Sequence, residues 1–159
     1  MVGLSAFLWV SVHSFSFRGG PVLKLDDKSR VTVPAVHKEI LGAPPVHNRL
    51  VVSKNPDGCL SLFPLPVWEG FEAELLKLPA QHVGWKRLYV GSATDVTIDT
   101  SSRVLIPPEL KVWAGLDKTV MFMGVGSYFE LWDTARYAER EARLLESPAP
   151  DAVLGMVIG

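Results

Sequence analysis

Two short stretches of the sequence place an acid and an arginine four residues apart. Asp26 and Arg30 lie in "LDDKSRVTVP" (25–34), and Asp99 and Arg103 lie in "IDTSSRVLIP" (98–107), seventy-three residues later. Alternating apolar residues on both sides of each polar break predict a turn between strands rather than a helix. Across such a turn the carboxylate can orient the guanidinium and restrict its rotamers. By spacing alone, the commoner interpretation is a weak ion pair that closes the end of a hairpin.

The similarity between the two halves continues beyond these phrases. At an offset of 69, "RLVVSKNPDGCLSLFP" (49–64) aligns with "KTVMFMGVGSYFELWD" (118–133), which matches Val51 with Val120 and Leu60 with Phe129. "EAELLKLP" (72–79) then aligns with "EARLLESP" (141–148). A period this long exceeds those of common solenoids and indicates a duplicated unit of domain-half size.

Each unit predicts the same order of elements: hairpin, short helix, hairpin, helix. The first hairpin joins "VLKLD" to "RVTVP", and the second is built around "KNPDG" or "GVGS". Pro and Gly bound the short helices, and apolar residues at helical spacing mark the long ones. The predicted helices are 34–42 and 66–78 in the first unit, and 107–115 and 134–146 in the second.

The two units are expected to share one core, because a chain of half this length buries too little surface to be stable alone. We therefore divide the 159 residues into an N-terminal extension, two repeats and a C-terminal tail. These segments are residues 1–16, 17–79, 80–148 and 149–159.

Composition excludes several classes of protein. The formal net charge is −1 and 21% of the residues are charged, which fits neither a disordered chain nor a strongly basic nucleic-acid-binding domain. Cys59 is the only cysteine, so no intrachain disulfide and no four-cysteine zinc site can form, and a cytoplasmic setting is expected.

The apolar N-terminal stretch does not have the charge order of a secretory signal, because Arg18 is its first charged residue. It is also too short to span a bilayer, and no other stretch predicts a transmembrane helix. Residues 1–16 are therefore expected to pack as an extra strand, to stay mobile or to meet another chain.

No catalytic or metal-binding pattern is present in the sequence. The four histidines do not have the spacing of metal ligands. No histidine is placed in the sequence to assist Cys59 as a nucleophile, so Cys59 is expected to be a small buried apolar residue. "GVGSYF" (124–129) lacks the lysine of a phosphate-binding loop and predicts a hairpin turn. No cofactor, metal or small-molecule substrate is therefore predicted. The histidines are His13, His37, His47 and His82, and the tryptophans expected to anchor the core or an interface are Trp68, Trp113 and Trp132.

Several motifs, in this order and at these distances, resemble the MraZ family of bacterial transcriptional regulators, in the AbrB-like swapped-hairpin superfamily. The resemblance runs from about Phe17 to about Leu145, and it includes the DxxxR signature in both halves. The motifs are "FRGGPVLKLDDKSRVTVPAVHKEIL", "DGCLSLFPLPVWE", "RLYVGSATDVTIDTSSRVLIPPELKVWAGL" and "GVGSYFELWD".

The resemblance implies an α+β, mainly β fold: two tandem swapped-hairpin repeats interleaved into one small barrel with flanking helices. It also implies a ring-forming homo-oligomer that binds repeated sites upstream of the division and cell-wall gene cluster. The protein would be cytoplasmic and nucleoid-associated.

The resemblance maps the family's DNA-contacting turn onto Lys28 and Arg30, with Asp26 as the acid that orients Arg30. An arginine can donate to guanine O6 and N7 together, and a lysine can contact phosphate. With Arg18 and Lys24, the stretch from 18 to 30 has a local net charge of +2. We therefore predict that these four basic residues contact double-stranded DNA.

The second turn is predicted to be mainly structural. The stretch from Asp95 to Arg103 has a local net charge of −1, with Asp99 and Arg103 as the turn pair. Ser29 and Ser102 also stand where most family members have Gly, which adopts a positive φ more readily.

Two other functional interpretations stay open at this point. A scaffold or interaction protein of the same fold, without DNA binding, is suggested by the mild acidity and by the two serines. An enzyme with a site in the barrel would need a catalytic constellation, and the sequence does not show one.

Overall fold

The computed structural model describes residues 15–156, so residues 1–14 of the N-terminal extension lie outside it. Eight strands are present in this part of the chain: β1 Val22–Lys24, β2 Arg30–Thr32, β3 Arg49–Lys54, β4 Leu60–Pro64, β5 Thr94–Thr97, β6 Arg103–Leu105, β7 Thr119–Gly124 and β8 Phe129–Asp133. The α-helices are α1 Ala35–Gly42, α2 Leu65–Leu76, α3 Val83–Tyr89, α4 Pro108–Trp113, α5 Thr134–Leu144 and α6 Asp151–Leu154, and a 3₁₀ turn spans Ala80–His82.

Most locally encoded elements match their predictions. The hairpins β3–β4 and β7–β8 form as expected, and helices α1, α2, α4 and α5 lie within a few residues of the predicted bounds. Helix α3 and the short α6 were not among the predicted elements. The fold is thus α+β with mainly antiparallel strands, as expected.

The first predicted hairpin of each repeat forms differently, because its two strands pair with the other repeat. Strand β1 pairs with β7, with Leu23 opposite Val120, and β5 pairs with β3, with Val96 opposite Leu50. Strands β2 and β6 pair with each other in a separate two-stranded sheet. The prediction of local β1–β2 pairing was wrong beyond the single antiparallel Leu25–Val31 bridge next to the turn, whereas the interleaving implied by the resemblance is confirmed.

The large sheet has the strand order β1-β7-β8-β4-β3-β5, so β1 and β5 are its edges. The chain leaves this sheet at the turns after β1 and β5 and enters the small β2–β6 sheet. Among the described residues, ladder pairing therefore does not close the strands into one continuous barrel.

The two faces of the large sheet bury different clusters. Alternate residues such as Leu50 and Val52 face the main core, whereas Val51 and Phe63 face a smaller cluster under α2, as expected for a strand with period two. Helix α2 packs on β3 and β4. The largest fully buried side chains, all in the main core, include Phe122, Phe129, Leu60, Leu62, Ile106 and Leu110.

The structure corrects the sequence alignment of the two repeats by one residue. Leu50, not Val51, is the counterpart of Val120, because Leu50 and Val120 both face the main core and take equivalent partners in the ladder. A shift of one residue would turn every side chain of the strand to the opposite face. The β3–β4 connection is one residue longer than the β7–β8 connection, which accounts for the shift.

Helix α5 lies on the surface and has no buried residue. The Asp133 side chain caps its N-terminus, and two arginines hold it to the β3–β4 turn: Arg136 Nη1 donates to the Gly58 carbonyl at 2.8 Å, and Arg140 pairs with Asp57 at 2.6 Å. In the part of the chain that is described, no helix has the length and apolar character needed to cross a membrane.

Candidate nucleic-acid interface

The first turn is organised by one carboxylate. Asp26 Oδ1 accepts hydrogen bonds from the backbone N–H groups of Lys28 and Arg30, each at 2.9 Å, and Oδ2 accepts from Arg30 Nε at 2.9 Å. The same acid therefore closes the turn and contacts the Arg30 guanidinium. Arg30 and Asp26 are each partly exposed.

The second turn repeats the backbone contacts but holds its arginine less firmly. Asp99 Oδ1 accepts from the backbone N–H groups of Ser101 at 2.8 Å and Arg103 at 2.9 Å. Arg103 Nε lies 3.6 Å from Asp99 Oδ2, and within residues 15–156 this buried nitrogen has no hydrogen-bond partner. Since 3.6 Å exceeds hydrogen-bond length, Asp99 fixes its arginine more weakly than Asp26 does.

The two turns lie side by side as one unit, which we call the paired tip (residues 26–30 and 99–103). The Ser29 carbonyl accepts from Ile106 N, and the Ser102 carbonyl accepts from Val33 N, both at 2.8 Å. The arrangement is reciprocal about the Val31–Val104 pair of the β2–β6 ladder. Arg103 Nη1 also lies 3.9 Å from Asp26 Oδ2, so the charges of the two turns are linked.

Both serines of the paired tip adopt the left-handed backbone conformation. The φ angle is 62° at Ser29 and 63° at Ser102. A residue with a Cβ pays about 1–2 kcal/mol for this conformation, which glycine adopts without that cost. The turn geometry is therefore retained with serine, at a cost in stability.

Replacing Ser29 by glycine is expected to stabilise the protein. Glycine relieves the strain of the left-handed conformation, but its greater entropy in the unfolded chain offsets part of the gain. The net effect should be a rise of up to about 1 kcal/mol in the free energy of unfolding. Thermal melting should rise by about 2–4 °C. Ser101→Gly is the control, since Ser101 does not have a positive φ. A Ser29→Gly variant that melts no higher than Ser101→Gly would show that the serine is not strained.

Backbone donors keep both acids of the paired tip ionised. The pKa of Asp26 and that of Asp99 lie below their ordinary value of 3.8, chiefly because the backbone N–H four residues ahead donates to the carboxylate. A carboxyl group whose pKa is lower in the folded protein than in the unfolded chain stabilises the fold at pH values above its unfolded-state pKa. This stabilisation is lost as the pH falls through its folded-state pKa. The tip is thus expected to stay organised at neutral pH and to loosen only below about pH 4.

The structure brings only part of the predicted basic set together. Lys28 is exposed at the tip, and Lys24 is exposed at the end of β1 that leads into it. Arg18 lies at the other end of the extended segment, next to Phe17, which bridges to Gly126 at the β7–β8 turn. At the rise of a strand, Arg18 is about 20 Å from Lys24.

Sequence reasoning missed one basic residue at the tip. Lys111, on α4 of the second repeat, places Nζ 3.3 Å from Ser29 Oγ in the first turn. Its counterpart in the aligned short helices is Lys38. This repeated lysine was a detectable signal, but its position beside the opposite turn follows only from the exchange of strands.

The remaining candidates occupy structural positions. Cys59 is buried, and desolvation raises the pKa of its thiol, which makes it a poor nucleophile. His37 packs between Phe17 and Phe129, with ring centroids at 5.5 and 5.0 Å. Across residues 15–156, no group of three or more metal-ligating side chains is arranged to hold an ion.

Two of the three tryptophans named from the sequence are core residues. Trp68 and Trp132 are buried, and the Nε1 group of each donates to a glutamate. Trp113 is only partly buried, and Lys54 Nζ lies 5.2 Å from its ring centroid.

Interleaved repeats, each with an Asp–Arg turn at the exit of its first strand, define the chain as a duplicated swapped-hairpin protein. Residues 89–153 match the family model described as "MraZ protein, putative antitoxin-like". The Transcriptional regulator MraZ of Leptothrix cholodnii is 50% identical over 139 residues, which cover 87% of this chain and 94% of the relative. That of Methylibium petroleiphilum is 49% identical over 137 residues, covering 86% and 93%, and that of Ralstonia pickettii is 45% identical, covering 86% and 96%.

The chain therefore belongs to the MraZ family of transcriptional regulators. This membership confirms the prediction of a regulator rather than an enzyme.

Proposed function

We propose that this regulator binds double-stranded DNA sequence-specifically by inserting the first turn of the paired tip into the major groove. The observation that carries the proposal is the Arg30 guanidinium, held by Asp26 through Nε at 2.9 Å. Its two terminal nitrogens make no hydrogen bond to any residue within 15–156. A guanidinium presented in this way can donate to O6 and N7 of one guanine.

Neighbouring basic residues would supply contacts to the phosphates. Lys28 projects from the same turn, and Lys24 and Lys111 flank it. Arg18 lies at the end of the β1 segment that is away from the tip, so it would contact a phosphate farther along the duplex. Each such contact adds a modest, salt-sensitive increment to the affinity.

One tip offers few contacts, so we propose that the protein acts as a ring homo-oligomer on repeated promoter sites. The exposed apolar surface at the end of α5 supports self-association: Leu144 and Leu145 are 73% and 75% exposed. Linked tips raise the effective concentration at neighbouring sites without new chemistry. Native mass spectrometry tests this point, and a monomer at micromolar concentration would contradict it.

The target proposed from the family resemblance is the promoter of the division and cell-wall gene cluster, with the protein cytoplasmic and associated with the nucleoid. Fluorescence anisotropy should show tight binding to a promoter fragment with tandem repeats and much weaker binding to a scrambled fragment. An intact oligomer that fails to bind either fragment at low salt would instead favour a scaffold without DNA binding.

Arg103→Ala should cost stability more than DNA affinity. The change removes the partly exposed ion pairs of Arg103 with Asp99 and Asp26, each of which stabilises the fold only slightly because water screens it. We expect a lower melting temperature and a smaller loss of affinity than for Arg30→Ala, measured on the same preparations. If the losses of affinity were equal, the second turn would have to be assigned to the DNA interface as well.

A further inference from the structure

A cavity of about 370 Å³ opens on the outer face of the large sheet, away from the main core. It lies between the small apolar cluster on β4, helices α2 and α3, and the turn that leads into β8. Its volume falls in the range of small-molecule sites, which usually combine apolar walls with a few polar groups. Neither the paired tip nor its proposed contacts involve this cavity.

Four aromatic rings line the cavity and brace one another. Phe63 stacks on Phe71 and on Tyr128, with centroids 5.5 and 5.0 Å apart, and Tyr89 meets Phe71 edge-on at 5.1 Å. The rings come from four different elements, so the cup is fixed by the tertiary fold. Aromatic faces carry negative electrostatic potential, which attracts cations, above all when water is partly excluded.

The polar groups at the cavity are acidic or neutral. Asn55, Ser61, Ser127 and Glu74 line it, and among residues 15–156 no Lys or Arg is part of the lining. The Glu130 carboxylate lies directly behind this wall: Oε2 accepts from Asn55 Nδ2 at 3.1 Å, and Oε1 accepts from Trp132 Nε1 at 2.9 Å. Lys77 is the nearby cation, and it pairs with Glu74 in an exposed position.

Burial is the main cause of the raised pKa values of the two cavity tyrosines, and nearby carboxylates add to it. Burial, with the charge of Glu130 as a further cause, raises the pKa of Tyr128 to about 12. Burial also raises the pKa of Tyr89, with Asp57 contributing. For Glu130, burial raises the pKa, while the hydrogen bonds from Trp132 and Asn55 favour the ionised carboxylate.

We propose that this aromatic cavity binds a small alkylammonium ion. The four rings supply the cation–π surface, and Glu130, behind the Asn55 wall, supplies the compensating charge. An anion would meet acids and ring faces with no cation in the lining, and a neutral apolar ligand would gain nothing from the carboxylates. The inference is independent of DNA binding and holds whether or not the paired tip contacts DNA.

The test uses the full-length protein in its native assembly, with choline as the probe and 3,3-dimethyl-1-butanol as its uncharged isostere. Titration calorimetry, together with NMR shifts of the aromatic side chains, should show choline binding at least about tenfold tighter than the isostere. The resonances that shift should belong to Phe63, Phe71, Tyr89 and Tyr128.

Substitutions of single rings test whether choline binding depends on the aromatic faces of the cavity. Tyr128→Leu and Phe71→Leu, on different elements, should each weaken choline binding about tenfold, whereas Tyr128→Phe should retain it within about threefold. Tyr137→Leu on α5 is the matched control outside the cavity and should bind choline like the parent protein. Glu130→Gln should weaken choline binding and leave binding of the isostere unchanged.

Unchanged melting and oligomeric state would show that each variant is folded. Equal binding of choline and the isostere, or no choline binding up to millimolar concentration, would overturn the proposal. So would loss of binding in Tyr128→Phe together with retention in Tyr128→Leu.

Discussion

Replacing Arg30 by alanine is expected to abolish specific promoter binding while the protein stays folded and assembled. One bidentate contact to a base contributes about 1–3 kcal/mol of discrimination, and an oligomer loses that contact at every tip that engages the DNA. The combined loss should reach about a hundredfold or more in the dissociation constant at physiological salt. The fold should tolerate the change, because within residues 15–156 the Arg30 side chain bonds only to the partly exposed Asp26.

Two further variants make this result interpretable. Arg30→Lys keeps the charge but removes the planar fork, so it should retain non-specific, salt-sensitive binding and lose preference for the repeated site. Lys77→Ala removes a cation at the end of α2, away from the tip, and should bind like the parent protein. An Arg30→Ala dissociation constant equal to that of Lys77→Ala would remove Arg30 from the proposed interface.

Separating the two repeats is expected to prevent each from folding as a monomer. Cutting the chain after Pro79 removes three strands that pair with strands of the first half. Strand β7 pairs with β1, β6 pairs with β2, and β5 pairs with the outer edge of β3. The main core would also be divided, since it combines residues such as Val31 and Leu60 with Val104 and Phe122. Fragments 1–79 and 80–159 expressed alone should show no cooperative melting as monomers, and co-expression should restore a 1:1 complex.

Circular dichroism, amide NMR dispersion and size-exclusion chromatography with light scattering would check this expectation. The intact chain under the same conditions is the reference. A monomeric fragment with dispersed amide signals and a cooperative melt would contradict the interleaved architecture, whereas a homodimer of one fragment would agree with it, because a second copy could supply the missing strands.

The sequence could predict the elements whose partners are close along the chain. The β3–β4 and β7–β8 hairpins follow from alternating apolar residues around turn residues. Strand β2 is only three residues long, and its pattern does not specify which edge it will join. Its pairing with β6 depends on contacts between the repeats, and the expectation of interleaved strands came from the family resemblance rather than from spacing.

In the candidate site, too, the sequence could predict only the contacts between residues that are close along the chain. The Asp26–Arg30 contact was predictable because a four-residue separation around a turn brings the two side chains together. The approach of Lys111 to Ser29 joins residues from opposite repeats, so no local pattern indicated it. Arg18 shows the reverse case: it is close to the turn in sequence, but an extended segment separates it from the turn in space.

Carrying both repeats on one chain has an evolutionary consequence for the two turns. A dimer of identical single-repeat subunits would have to present two identical tips, so any change to one would be copied in the other. Covalent fusion removes that obligation, since each copy can mutate alone while the crossed Ser29–Ile106 and Ser102–Val33 bonds still align the pair. Here the stretch that holds the first turn (18–30) has a local net charge of +2 and the stretch that holds the second (95–103) has −1, an asymmetry that a symmetric dimer could not encode.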